Sequence, residues 1–167
     1  MNLTREYLLD IVEKELSDNL RDKFTITELV NISDLSRSTV YYHFESLEEV
    51  YKSLFNERIL PNIIVKNLSL RPIVEGLIDY IVNNKKICLN VYRLTSDMNR
   101  RDYIISLVNQ AFYKYELGED KINSHRRYLI GGFVFILYSW FEDNLSTDSV
   151  DIKKQVHSFF EMLSEYI

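Results

Sequence analysis

A chain of 167 residues, 46% of them hydrophobic, has room for a medium domain or a small head on a helical body, and is too apolar to be disordered. Four Gly and two Pro leave few places for turns, which argues for helices joined by short loops and against a sheet protein. The formal net charge of −5 is unevenly spread: residues 1–52 carry six Lys/Arg against eleven Asp/Glu, and the rest carries fourteen of each.

Cys88 stands alone, so no internal disulfide forms, which fits a reducing cytoplasm. The first residues lack a basic-then-apolar signal pattern. The longest apolar run, 128–141, is too short to cross a membrane and contains Gly131 and Gly132. These features together predict a soluble cytoplasmic protein with no membrane partner.

Residues 3–20 read as a first helix, with Leu8, Leu9, Val12 and Leu16 in one stripe and Glu6, Asp10, Glu13 and Lys14 outside it. Residues 25–54 then read as helix, tight turn, short helix, tight turn and long helix. Thr25 with Glu28, and Ser46 with Glu49, have the spacing of capping boxes, in which a hydroxyl and a carboxylate satisfy orphan N–H groups. Ser36 is placed to cap the short helix running towards Tyr42. Leu29, Val30, Leu35, Val40, Phe44, Leu47, Val50 and Leu54 are spaced to bury on one small core. Arg37 and Tyr41, and Ser38 and Tyr42, are pairs four apart that remain on the opposite face. A short helix pinned on its apolar side and free on its polar, aromatic side suits a DNA major groove.

The residues Thr25-Ile26, Leu29-Val30, Ser33-Asp34-Leu35-Ser36 and Thr39-Val40-Tyr41-Tyr42-His43-Phe44 resemble, in register and without a gap, the N-terminal helix-turn-helix of TetR-type transcriptional regulators. Ser33 and Asp34 stand where that family has Ala-Gly, and Leu47 where a phosphate-contacting Lys is usual. The resemblance implies an all-α protein: a three-helix DNA-binding domain at 1–46 and a helical ligand-binding and dimerisation domain at 47–167, with a fourth helix at 47–60 as connector. It implies double-stranded DNA and a second copy of the chain as partners, and a small-molecule ligand as effector.

Pro61 ends or kinks the fourth helix, or starts a new one at 62–67; both readings stand. Ser69 with Pro72 opens a helix whose apolar side holds Ile73, Leu77, Ile78, Tyr80 and Ile81, broken at Asn83-Asn84. A short helix at 87–94, a polar loop at 95–99 and an amphipathic helix at 101–117, stopped by Gly118, follow. Residues 123–144 are apolar nearly all round at their centre, which predicts burial on several sides, and 149–166 form a last amphipathic helix. The last two helices resemble the family's dimerisation pair, which implies Gly131, Gly132, Phe133, Trp140, Val156, Phe159 and Phe160 as interface residues.

For DNA, Arg37 is the best base reader, because its fork takes a guanine edge bidentately. Ser36, Ser38, Thr39, Tyr41, Tyr42 and His43 reach bases or phosphates, and Thr25 and Thr27 suit a phosphate at a helix N-terminus. Tyr41 has the alternative of packing against the fourth helix. Cys88, Tyr92, Asn109, Tyr113 and Tyr138 are polar groups on otherwise apolar helices, and are the candidates for a ligand pocket. His43, His125 and His157 have no metal-ligand spacing, and no catalytic or phosphate-loop motif occurs, so no metal, cofactor or enzymatic activity is expected.

The expected function is that of a homodimeric regulator, a repressor by family default, binding a palindromic operator and released by a ligand. The acidic head and Leu47 motivate a rival: an adaptor that keeps the fold, has lost DNA binding and acts through protein partners.

Overall fold

The computed structural model describes residues 2–59, 61, 70–95, 105 and 124–164. The helix read at 62–67, the loop beyond Thr95, Asn109, Tyr113 and Gly118 lie outside them, as does all of the helix read at 101–117 except Ile105, which is helical. Eight α-helices and no strand occur among the described residues: the protein is all-α. None of these helices is long and apolar enough to cross a membrane.

The chain divides into two compact units, one formed by Met1–Asn62 with Asn84–Ser96, the other by Ile63–Asn83 with Asp97–Ile167. The first contains α1 (Leu3–Asp18), α2 (Ile26–Ser33), α3 (Arg37–His43), α4 (Leu47–Leu54) and a π-helical turn, Phe55–Ile59. One helix of later sequence, α6 (Lys85–Leu94), completes it. In the second unit lie α5 (Leu70–Asn83), α7 (Ser124–Glu142) and α8 (Ser149–Ser164).

The core of the first unit follows from the apolar stripes. Leu8, Leu9, Val12 and Leu16 of α1 are fully buried against Leu29, Val40, Phe44, Val50 and Leu54, and Ile87 of α6 joins them. Each of α1 to α4 begins at a side-chain cap. Asn2 accepts from Arg5 N at 3.4 Å, Thr25 from Glu28 N at 3.2 Å, Ser36 from Thr39 N at 3.1 Å and Ser46 from Glu49 N at 3.3 Å. Such caps satisfy donors that would otherwise have no partner in a helix of only seven or eight residues.

The fourth helix differs from expectation. Its α-helical part stops at Leu54, and the chain widens into the π turn well before Pro61. Phe55 N–H donates to the carbonyls of both Tyr51 and Lys52, so the i→i−4 ladder is shared at that point. The turn presents two adjacent side chains to α1. Glu57 pairs with Arg5, whose Nη2 also donates to Ser53 Oγ at 2.7 Å. Arg58 gathers Glu6 at 2.8 Å, Asp10 at 2.5 Å and Glu13 at 3.3 Å.

Helix α6 closes the far end of α1. Asn90 is fully buried, and its Nδ2 donates to the carbonyls of Leu16 and Asn19 at 2.8 and 2.6 Å. Its Oδ1 accepts from Arg21 N at 2.8 Å, so all three hydrogen bonds serve the chain leaving α1. One turn earlier, Lys86 Nζ donates to the Asp18 carbonyl at 3.1 Å.

In the second unit, α8 packs against both α5 and α7. Val74, Ile78 and Ile81 of α5, Phe133, Val134, Leu137 and Trp140 of α7, and Ile152 and Val156 of α8 are buried. His157 meets Glu75 at 3.2 Å, and Lys153 pairs with Asp79. Gly132 lies under the Phe159 ring: a Cβ there would lie 2.1 Å from it, so any larger residue has to displace that ring. Asp143 clasps the turn into α8 by accepting from Thr147 N at 3.2 Å and Thr147 Oγ1 at 2.9 Å, and Trp140 Nε1 donates to the Thr147 carbonyl at 2.9 Å.

Candidate nucleic-acid interface

The turn between α2 and α3 decides how α3 is displayed. Asp34 has φ 55°, a left-handed conformation usual for Gly, and one that a short acidic side chain tolerates better than most. Ser33 is buried, where bulk would not fit. Its Oγ donates to the Val30 carbonyl at 3.2 Å, and its own carbonyl accepts from Tyr7 Oη at 3.3 Å. Ser33 and Asp34 thus fill the steric roles of a small residue and a glycine. Beyond the turn, Val40 and Phe44 anchor α3 to the core, and the other side of the helix faces solvent.

On that outer side Arg37, Ser38, Tyr41 and Tyr42 are exposed, Tyr41 by 43% and Tyr42 by 83%. Tyr41 therefore does not take the alternative of burial against α4. Arg37 lies over the Tyr41 ring, 5.5 Å from its centroid, and Nη2 donates to Tyr41 Oη at 3.4 Å. The Tyr42 and His43 rings meet edge to face at 5.0 Å. His43 is half-buried, and Asn2 Nδ2 donates to its Nδ1 at 3.4 Å, which leaves Nε2 to carry the proton of the neutral ring. Ser36, Ser38 and Thr39 form a hydroxyl cluster, with Ser36 Oγ 2.8 Å from Ser38 Oγ and 2.7 Å from Thr39 Oγ1.

At the start of α2 the two threonines part. The Thr25 hydroxyl is committed to the cap, donating to Glu28 Oε2 at 2.7 Å, and that hydrogen bond holds the Glu28 carboxyl below its usual range. A carboxylate beside Thr25 makes it a poor phosphate contact, whereas Thr27 is exposed in the first turn of α2.

The acidic excess of the head has a structural destination. Glu6, Asp10 and Glu13 converge on Arg58, and Glu15 and Glu28 on Arg21. Of the guanidinium groups on residues 2–59, Arg5, Arg21 and Arg58 are each engaged by a carboxylate, while Arg37 meets Tyr41 instead. No acid lies on α3. Composition alone hid this, because Arg58 falls outside the acidic stretch whose charges it offsets.

The other candidate residues fall in both units. Cys88 packs against the core of the first unit, where burial pushes its thiol up to about 12, and Tyr92 is buried on the same helix. Tyr138 is half-buried on α7, in the second unit. Of the residues expected at an interface between copies, Phe133, Trp140 and Val156 are buried inside the single chain, where they support the fold and offer no outer surface. Gly132 is covered by Phe159, and Phe159 and Phe160 are half-buried with their rings 6.2 Å apart. Gly131 is exposed, and one turn on stands Phe135, 69% exposed, a residue that the sequence did not single out. Its helix was expected to be buried on several sides; the outward stripe of Gly131, Phe135 and Ser139 shows that one side is open in the single chain.

Comparison with known families matches residues 69–162 to the C-terminal region of TetR-type transcriptional regulators. The chain belongs to the TetR-type regulators. No curated protein matches it. The matched region of this TetR-type regulator begins just before α5 and includes α6, so sequence belonging to the family's C-terminal region supplies a helix to the unit that carries the helix-turn-helix.

Proposed function

We propose that this transcriptional regulator is a homodimeric repressor that reads a palindromic operator with α3 and is released by a small-molecule ligand. The observation that carries the reading is Arg37: a guanidinium free of carboxylates, exposed on a helix that is anchored by Val40 and capped by Ser36. Two such helices, about 34–36 Å apart, enter successive major grooves. Arg37 reads a guanine edge, and Thr27, Ser38, Tyr42 and His43 hold phosphates.

Homodimer formation is supported by the outward stripe of α7. A large exposed aromatic beside a glycine one turn away lets a second helix approach closely and bury the ring. A ligand that favours a conformer with wrongly spaced heads draws the population off DNA. Cytoplasmic location follows from the same reading.

Mobility shift of genomic fragments at low and moderate salt tests the proposal. A retained fragment that Arg37→Ala releases supports it. No retained fragment even at low salt favours the adaptor, for which the acidic balance of residues 1–52 is the motive. The dimer is tested by Phe135→Glu, which yields monomers in sedimentation if the α7 stripe is the interface; a persisting dimer moves the interface elsewhere.

A further inference from the structure

Arginine carries several rotatable bonds, and immobilising such a side chain on binding costs part of the energy its hydrogen bonds return. On α3 that flexibility is already restrained. Arg37 and Tyr41 are four residues apart, hence neighbours on one helical face. The guanidinium carbon lies 5.5 Å from the Tyr41 ring centroid, and one of its N–H groups donates to the phenolic oxygen at 3.4 Å. The ring face attracts the cation, while the hydroxyl fixes where along the ring the fork rests. The Ser36, Ser38 and Thr39 side chains are short and clustered with one another, so the Arg37–Tyr41 pair is the longer polar arm on this side of α3.

We infer that Tyr41 is a positioning residue for base recognition: it holds the Arg37 guanidinium ready for the edge of a guanine, and so sets specificity at one base pair per half-site without itself reading the base. The inference rests on the operator-binding reading above. It separates Tyr41 from Tyr42, which has no such arginine contact and projects farther into solvent. A phosphate-contacting tyrosine strengthens binding to every sequence alike. A positioning tyrosine acts on one base pair only, and its effect vanishes once the arginine is gone.

The test is selection of bound duplexes from a random pool with the intact protein, followed by titration of the selected site and its single-base variants. The panel is wild type, Arg37→Ala, Tyr41→Leu, Tyr41→Phe and the Arg37→Ala/Tyr41→Leu double variant. Tyr41→Leu is expected to lower discrimination by about two- to fivefold, the size of an exposed cation–ring contact, at the same base pair where Arg37→Ala removes preference. Tyr41→Phe, which keeps the ring, is expected to restore most of that preference, and the double variant to be no worse than Arg37→Ala alone. A uniform loss across all sequences with Tyr41→Leu, or additive effects in the double variant, overturns the positioning role and leaves DNA reading intact. No duplex selected by the wild type overturns both. Unchanged helicity and melting of the Tyr41 variants separate these outcomes from misfolding.

Discussion

Asn90 donates to the Leu16 carbonyl at 2.8 Å, although the two residues are 74 positions apart in the chain. The contact lets a helix of the family's C-terminal region finish the first helix of the head. Replacing Asn90 by Leu keeps the volume but leaves the carbonyls of Leu16 and Asn19, and the N–H of Arg21, without this partner. The expected loss is about 2–4 kcal/mol, the scale for stranding several buried polar groups. Urea unfolding of the full chain should show a lower midpoint with an unchanged slope. A change within about 0.5 kcal/mol would make the contact incidental.

The two neighbouring glycines of α7 should respond in opposite directions. Gly132→Ala drives a methyl into the Phe159 ring and is expected to cost about 1–3 kcal/mol. Trimming the ring by Phe159→Leu in the same chain should recover part of that loss. Gly131→Ala meets nothing within 4 Å in the single chain, so in the monomeric Phe135→Glu background it should gain up to about 1 kcal/mol from helix propensity. Thermal melts at one fixed protein concentration check the three variants.

Arg58 is the counter-ion for one face of α1. Arg58→Ala leaves Glu6, Asp10 and Glu13 repelling one another at helical spacing, an expected loss of about 1–2 kcal/mol that shrinks in high salt. Adding Asp10→Asn to the variant should return part of the stability. A loss that is independent of salt would point to packing of the arginine stem instead.

The Glu57 carboxyl is held below its usual range, first by its hydrogen bond with Arg5. A carboxyl with a lowered folded-state pKa stabilises fully above its unfolded value, and the contribution fades as pH falls through the folded one. The wild type should therefore lose stability on acidification below about pH 4.5, more steeply than Glu57→Gln, which has no carboxyl to protonate there. Parallel acid titrations of the two proteins followed by circular dichroism decide it; coincident curves contradict it.

Much of the head was readable locally. The Thr25, Ser36 and Ser46 caps are hydroxyls three residues from the N–H groups they bind, and Val40 and Phe44 stand at the spacing that turns one side of α3 inward. Features that depend on distant partners were not readable. The pairing of Arg58 with α1 joins residues 45 to 52 positions apart, and the π turn that makes it possible has no local signature around Phe55. Likewise α6 looked like part of the body, because nothing in its own residues names α1 as the helix that Asn90 completes. The outward position of Phe135 was hidden by the apolar residues surrounding it, since periodicity cannot separate a side covered within the chain from one left open. On α3, spacing put Arg37 and Tyr41 on one face, but only coordinates show the cation resting on the ring.

The most direct measurement of the central claim, that the outer side of α3 reads DNA, is a footprint of the intact protein on its selected operator across a range of salt. A dimer of reading heads protects two half-sites about 10 base pairs apart, and Arg37→Ala weakens both equally. With Arg37 the one Lys or Arg on α3, log affinity should fall with log salt at a slope of only about −2 to −4. Absence of protection at low salt, or protection that Arg37→Ala leaves unchanged, would contradict the claim.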